Sequence, residues 1–168
     1  MATLHDISLA LLDRSLAQLT TVIDIGAKHC VEKKIEEAVL LNDRLFPDMF
    51  PLIKQVQVAC DFSKSCAARL SGGTAPSFDG TDASFADMST RIQKTRDYLA
   101  TITPEMINGL DDKIVSVRTR DGERPMPALT YVQRMVLPNV FFHCVTAYNV
   151  LRHNGVAVSK GDFVGAID

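Results

Sequence analysis

Several features are missing from this chain of 168 residues, and each absence removes a class of function. No basic block or stripe interrupts a balanced charge pattern of net −2. The positive footprint that a phosphate backbone requires is therefore absent, and nucleic acid is not an expected partner. No apolar run approaches the length of a spanning helix, about 18 residues or more, so no membrane partner is expected either. The segment Met1 to Leu19 has acids at Asp6 and Asp13 and no basic leader ahead of an apolar core, so it does not read as a signal peptide. The four cysteines, Cys30, Cys60, Cys66 and Cys144, form no C-x-x-C pair. Scattered thiols of this kind read as reduced, buried packing residues, and the expected address is cytoplasmic. No nucleophile elbow, phosphate-binding loop or dinucleotide fingerprint is present.

What is present is ordinary globular material, 46% hydrophobic and 23% charged. Length and composition suit a single domain spanning residues 1–168 that needs no disulfide or metal to hold its core. Leu12, Leu16, Leu19 and Ile23 recur at helical spacing, which predicts a first helix capped by Asp6 and running to about Lys28. Ile35 to Leu41 suits a short helix before the turn at Phe46-Pro47-Asp48. A second long helix is expected to be capped by Asp48, with Pro51 in its first turn and an inward stripe of Leu52, Val56, Ala59, Ser63, Cys66 and Leu70. It stops at Gly72-Gly73, and a loop follows to about Gly80. A third starts at Asp82 or Ser84, buries Phe85, Met88, Ile92, Thr95, Leu99 and Ile102, and ends before Pro104.

The composition then changes. Lys113 to Arg118 reads as a strand, Asp121-Gly122 as a hairpin turn, and Glu123 to Ala128 as a returning arm. Pro125 and Pro127 predict that any pairing there is short and at an edge. A last helix covers Leu129 to Asn154, closed by Gly155, with Pro138 causing a kink or a fresh first turn. The tail beyond Gly155 reads as irregular. The expected fold class is all-α, an antiparallel bundle of four long helices with a small β-hairpin inserted before the last.

Candidate site residues emerge from the last helix. At about 100° per residue, Val136, Asn139, Val140, Thr146, Ala147 and Val150 lie on the same side as His143. An imidazole and an amide among valines need partners, because each left unpaired costs roughly 1–3 kcal/mol. The partners are expected to be each other and helix-two groups, namely Gln55, Gln57 and Asp61. Such a cluster is either a satisfied buried network or a polar pocket between helices, where bundles build their sites. His153 reads as a helix-end cation and Cys144 points about 100° away from His143, so neither joins the cluster. Arg44 either pairs with Asp48 or holds an anionic group at the pocket mouth.

The segments LPNVFFHCVTAYNVLRHNG and LLNDRLFPDMFPLIKQVQVACDFSK resemble a domain-of-unknown-function branch of the DinB/YfiT-like superfamily, over nearly the whole chain. The resemblance implies an up-down-down-up four-helix bundle. It also implies, for metal-binding members, three histidines around a divalent ion, one on helix two and two on the last helix. Here His143 matches the second of the pair, Asn139 stands at the first, and Gln57 or Val58 stands at the helix-two position. That set is poor for zinc or nickel, so no metal and no other cofactor is expected. Three functions remain open. One is a metal-free pocket for a small organic molecule, with His143 as acid–base group, Gln57 and Asn139 orienting the ligand, and Arg44 at the mouth. Another is a divergent metal-dependent enzyme, thiol transferase-like, using His143, Asp61 and water. The third is a non-catalytic interaction module.

Finally, Leu137, Phe141, Val145 and Tyr148 give the last helix a second apolar face, and Val58 and Phe62 do the same for helix two. Either the hairpin and tail cover these faces, or two copies pair through helices two and four; the expectation is a homodimer.

Overall fold

Leu12, Leu16, Leu19 and Ile23 are completely buried, as one apolar face at four-three-four spacing requires. In the computed structural model, which describes residues 1–119 and 121–166, they lie on α1 (Leu11–Lys33), entered through a π-helical turn at Asp6–Ala10. The cap is Thr3 rather than Asp6. Thr3 Oγ1 accepts the Asp6 N–H at 3.2 Å while Asp6 Oδ2 accepts the Thr3 N–H at 2.9 Å, so the two close a capping box one turn earlier than expected. α1 also continues past Lys28 to Lys33, because Cys30 still has a buried place to fill.

The short α2 (Glu37–Leu41) brings Leu40 and Leu41 into the core. Asp48 does not cap the next helix. Pro51 is itself the cap residue of α3 (Leu52–Ser71), extended at ψ 165° with no side-chain cap bond, so the helix begins after it. The whole expected stripe from Leu52 to Leu70 is buried, and Gly72 ends the helix with φ at 81°, a conformation that costs glycine little. α4 (Phe85–Ala100) starts at Ser84, whose Oγ accepts the Asp87 N–H at 3.0 Å. Asp82, the other candidate cap, is turned inward. Pro104 opens a further short turn, α5 (Pro104–Ile107), consistent with proline's fit at a first helical position.

The hairpin forms between β1 (Ile114–Thr119) and β2 (Gly122–Pro127), antiparallel over its full length from Ile114↔Pro127 to Thr119↔Gly122. The prolines do not shorten it. They stand two apart, so both present their missing N–H to the free outer edge, while the Ala128 N–H points inward to Lys113 O at 2.8 Å. Val115 and Val117 face the core.

The last helical path is one run in three parts: α6 (Ala128–Tyr131), a π-helical turn (Val132–Val136) and α7 (Leu137–His153). Pro138 falls in the first turn of α7, one of its two expected places, while the helical path continues through it. The widened turn directly before Pro138 absorbs the carbonyl that its ring would strike and that its missing N–H cannot satisfy. Gly155 closes α7 with φ at 80°. The tail, expected to be irregular, forms α8 (Lys160–Val164) behind a Ser159–Asp162 capping box. It docks on α1, where Arg14 Nη2 donates to Val164 O at 3.3 Å and Ala166 O at 2.6 Å.

Packing brings α3 chiefly against α7 and α4, and α1 against α4 and α7. Gly26 marks the tightest approach: a Cβ there would stand 2.9 Å from the Phe85 ring and 3.1 Å from Leu151. The result is a mainly helical fold with one two-stranded hairpin ahead of the final helix. Among the described residues no helix is long and apolar enough to cross a membrane.

Candidate functional site

His143 is buried where α7 meets α3, with only 8% of its surface exposed. Its Nδ1 lies 2.6 Å from Gln55 Oε1. The Gln55 amide is oriented independently, since its Nε2 donates to Phe50 O at 2.9 Å. The oxygen must therefore face the imidazole, and Nδ1 carries the proton. That leaves Nε2 as the lone-pair nitrogen. Every buried side-chain nitrogen and oxygen among the described residues has a partner. Nε2 has none among the described residues, so it is the ring atom that reaches water. Burial holds the imidazole pKa below its ordinary 6.5, which keeps the ring neutral and the Nε2 lone pair unprotonated at pH 7.

Two aromatic rings flank it. Phe62 stacks on one side at 6.3 Å between centroids, and Phe142 meets it edge-on at 5.3 Å. Phe62 was expected on the outer face of its helix. In fact Gln55, Val58 and Phe62 share the face of α3 that meets α7, as positions three and seven apart do.

The other candidates are dispersed. Asn139 does not join His143: its Nδ2 donates to Met135 O of its own helix at 2.7 Å. A carbonyl one turn back on the same helical path satisfies the amide in place of a side chain across the interface. Gln57, about 200° around α3 from Gln55, faces α4 instead. It donates to Asp82 Oδ2 at 2.7 Å, and the same oxygen takes Arg91 Nε at 2.7 Å. Asp61 pairs with Lys64 Nζ at 2.9 Å. Arg44 is exposed and donates to Met49 O at 3.3 Å. An Arg44–Asp48 ion pair is not among those of the described residues.

A polar cluster that sequence reasoning missed lies on the α4 side of α3. Arg91 and Lys64 are both buried, and the Phe78 ring sits between them, 5.5 Å from the guanidinium carbon and 4.4 Å from Nζ. Asp82 answers Arg91, and Asp79 O also accepts from it. Together they pin the loop between α3 and α4. Spacing alone carried no signal for this, because the cations lie on different helices and the Phe78, Asp79 and Asp82 that join them lie in a loop.

The thiols are packing groups. All four are free and buried, and burial pushes Cys60, Cys66 and Cys144 up to about 12. None supplies a thiolate near neutral pH.

The donor set does not fit the three-histidine metal centre that the resemblance implies. Val58, on the face of α3 that meets α7, has no donor atom, Gln57 is engaged on the α4 side, and Asn139 is tied to its own backbone. Among the described residues no three His, Cys, Asp or Glu side chains stand close enough to hold an ion.

Comparison with known proteins places the chain in a family. Residues 4–164 match the family model described as Domain of unknown function (DUF1993). Curated proteins include no match. A solved crystal structure, that of a DinB family member protein from Shewanella denitrificans, is 33% identical with a TM-score of 0.89, covering 98% of this chain and 93% of that one. The chain therefore belongs to the DUF1993 family of unknown function, within the DinB-like superfamily.

Proposed function

We propose that the chain is a metal-free, DinB-like protein that binds a small organic molecule at His143 and uses Nε2 as hydrogen-bond acceptor or general base. The observation that carries this reading is the Gln55 contact: a 2.6 Å bond that fixes the tautomer and leaves an unprotonated nitrogen toward water. Phe62 and Phe142 supply the apolar walls against which an aromatic or aliphatic body would lie. The roles expected for Gln57, Asn139, Asp61 and Arg44 pass to Gln55, Phe62 and Phe142, because those are the side chains around the ring.

The test combines two measurements on protein purified without chelator. Elemental analysis should find no stoichiometric transition metal, and a small-molecule screen by melting shift should yield ligands whose effect disappears in His143→Gln. About one zinc or nickel per chain, lost in His143→Ala, would favour the thiol transferase-like metalloenzyme instead. A screen in which no ligand loses its effect in His143→Gln would favour a non-catalytic module.

The reading extends to architecture. We take the four long helices to run up-down-down-up within a single domain. Arg96 reaches Asp13 and Ser89 reaches Asp24, which is an antiparallel pairing of α1 with α4. Gln55 meets His143 and Arg69 meets Tyr131, which pairs α3 with the last helix the same way. A twofold dimer through the last helix is part of the proposal, supported by the exposure of Phe141, Phe142 and Val145.

A further inference from the structure

A second cleft, of about 240 Å³, opens between α3, β1 and the start of the last helical path. Val58, Phe62, Val117 and Met135 give it an apolar lining, and Arg69, Arg118 and Tyr131 stand around it. We propose that this cleft binds a small organic anion with an apolar body, its charged group taken by Arg69, Arg118 and the Tyr131 hydroxyl. The site is separate from the reading of His143 and does not depend on it; Phe62 is the wall between the two.

The charges argue for an anion. Arg69 is half-buried, yet among the described residues it has no carboxylate partner. Its Nη1 donates to Tyr131 Oη at 3.1 Å and to Ser65 O at 3.4 Å. A guanidinium offers five donors in a planar fork, so its other nitrogens remain for a bidentate acceptor. Arg118, exposed on β1, likewise has no carboxylate partner among the described residues. The acid on this wall, Asp61, is already answered by Lys64, so the two guanidiniums leave an excess of positive charge.

Tyr131 adds a directed donor. Its ring is buried, and burial pushes its phenol up to about 12. The hydroxyl therefore keeps its proton, and because its oxygen already accepts from Arg69, that proton is available to a ligand. The lining then sets the body. A dry cavity of about 150 Å³ admits benzene, so this volume suits a single ring or short chain carrying one acidic group.

Benzoate and its neutral counterpart benzamide are suitable probes, followed by amide chemical shifts of the full chain. Benzoate should give saturable shifts centred on Phe62, Val117 and Tyr131, with benzamide at least about tenfold weaker. Arg118→Ser, on an exposed strand position where the fold is not at stake, should weaken benzoate about tenfold, and Arg69→Gln should do so more strongly. His143→Gln should leave benzoate binding unchanged, which separates this site from the one proposed above. Absence of saturable shifts, equal binding of benzamide, or wild-type affinity in Arg118→Ser would each overturn the proposal.

Discussion

At the scale of the residue, the chemistry of the chain concentrates on the pair His143 and Gln55. Burial depresses the folded-state pKa of His143 below its ordinary 6.5. A depressed value means that the unfolded chain takes up the proton first as pH falls. The stability associated with the neutral ring is therefore fully present above about pH 6.5 and is lost as the pH drops through the folded-state value. Urea denaturation at pH 7 and pH 5 should show a fall for the wild type that is smaller in His143→Gln. An equal fall in both would mean that this ring is not the titrating group. Gln55 serves two partners at once, the imidazole and Phe50 O. Gln55→Leu strands the Nδ1–H of the buried imidazole, which costs roughly 1–3 kcal/mol. The variant should also release the tautomer, which nitrogen shifts of the imidazole read directly.

Whole elements are held by contacts of a different kind. The loop from α3 to α4 has no secondary structure of its own and depends on Asp82, which takes both Gln57 and Arg91. Breaking a buried ion pair by removing one partner costs about 3–5 kcal/mol, since the remaining charge is left without an answer. Asp82→Ala should therefore destabilise the chain by that order in chemical denaturation. Changing Asp82 and Arg91 together to apolar residues should recover much of the loss. A loss of less than about 1 kcal/mol in the single variant would show that solvent reaches Arg91 and that the loop is not pinned there. Gly26 governs a second junction. A methyl group there meets Phe85 and Leu151 at or below contact distance. Overpacking costs about 1–3 kcal/mol, against up to about 1 kcal/mol gained in helix propensity. Gly26→Ala should thus be mildly destabilising, and Gly26→Leu far more so.

For the molecule as a whole, the open question is what meets the outer face of the last helix. Part of the second apolar face is covered within the chain. Tyr148 packs on Phe163 of α8 at 5.9 Å, and Val58 and Phe62 share a cleft with Val117 of the hairpin. Phe141, Phe142 and Val145 keep 41%, 55% and 39% of their surface exposed. Three neighbouring apolar side chains are the kind of patch that a twofold partner covers. Light scattering at micromolar concentration should give about twice the 18.4 kDa chain mass, and Phe141→Glu should return it to one. A clean monomer in the wild type, unchanged by dilution, would rule the dimer out.

Local information was enough for the helices and the hairpin, because apolar spacing and turn residues act within a few positions of one another. The inward stripe of α3 and the hairpin turn at Asp121-Gly122 follow that logic, whereas the hairpin's full length does not, since Pro125 and Pro127 predict a short pairing. Two further local signals, Thr3 with Asp6 and Ser159 with Asp162, were legible as capping pairs three apart and went unread. The site was less legible. Helical periodicity located His143 on an inward face, but not the rotation of α3 against it. That rotation decides whether Gln55 or Gln57 reaches the ring, and about 200° separates them. Nor does the chain order reveal that Asp82, in a loop, would claim Gln57, or that Arg69 and Arg118 would stand around one cleft. Sequence by itself determined the elements and the side each buries, since both depend on neighbours along the chain. Only the tertiary structure decided which polar groups meet, because those partners come from separate helices whose mutual rotation is set by the packing of the entire core.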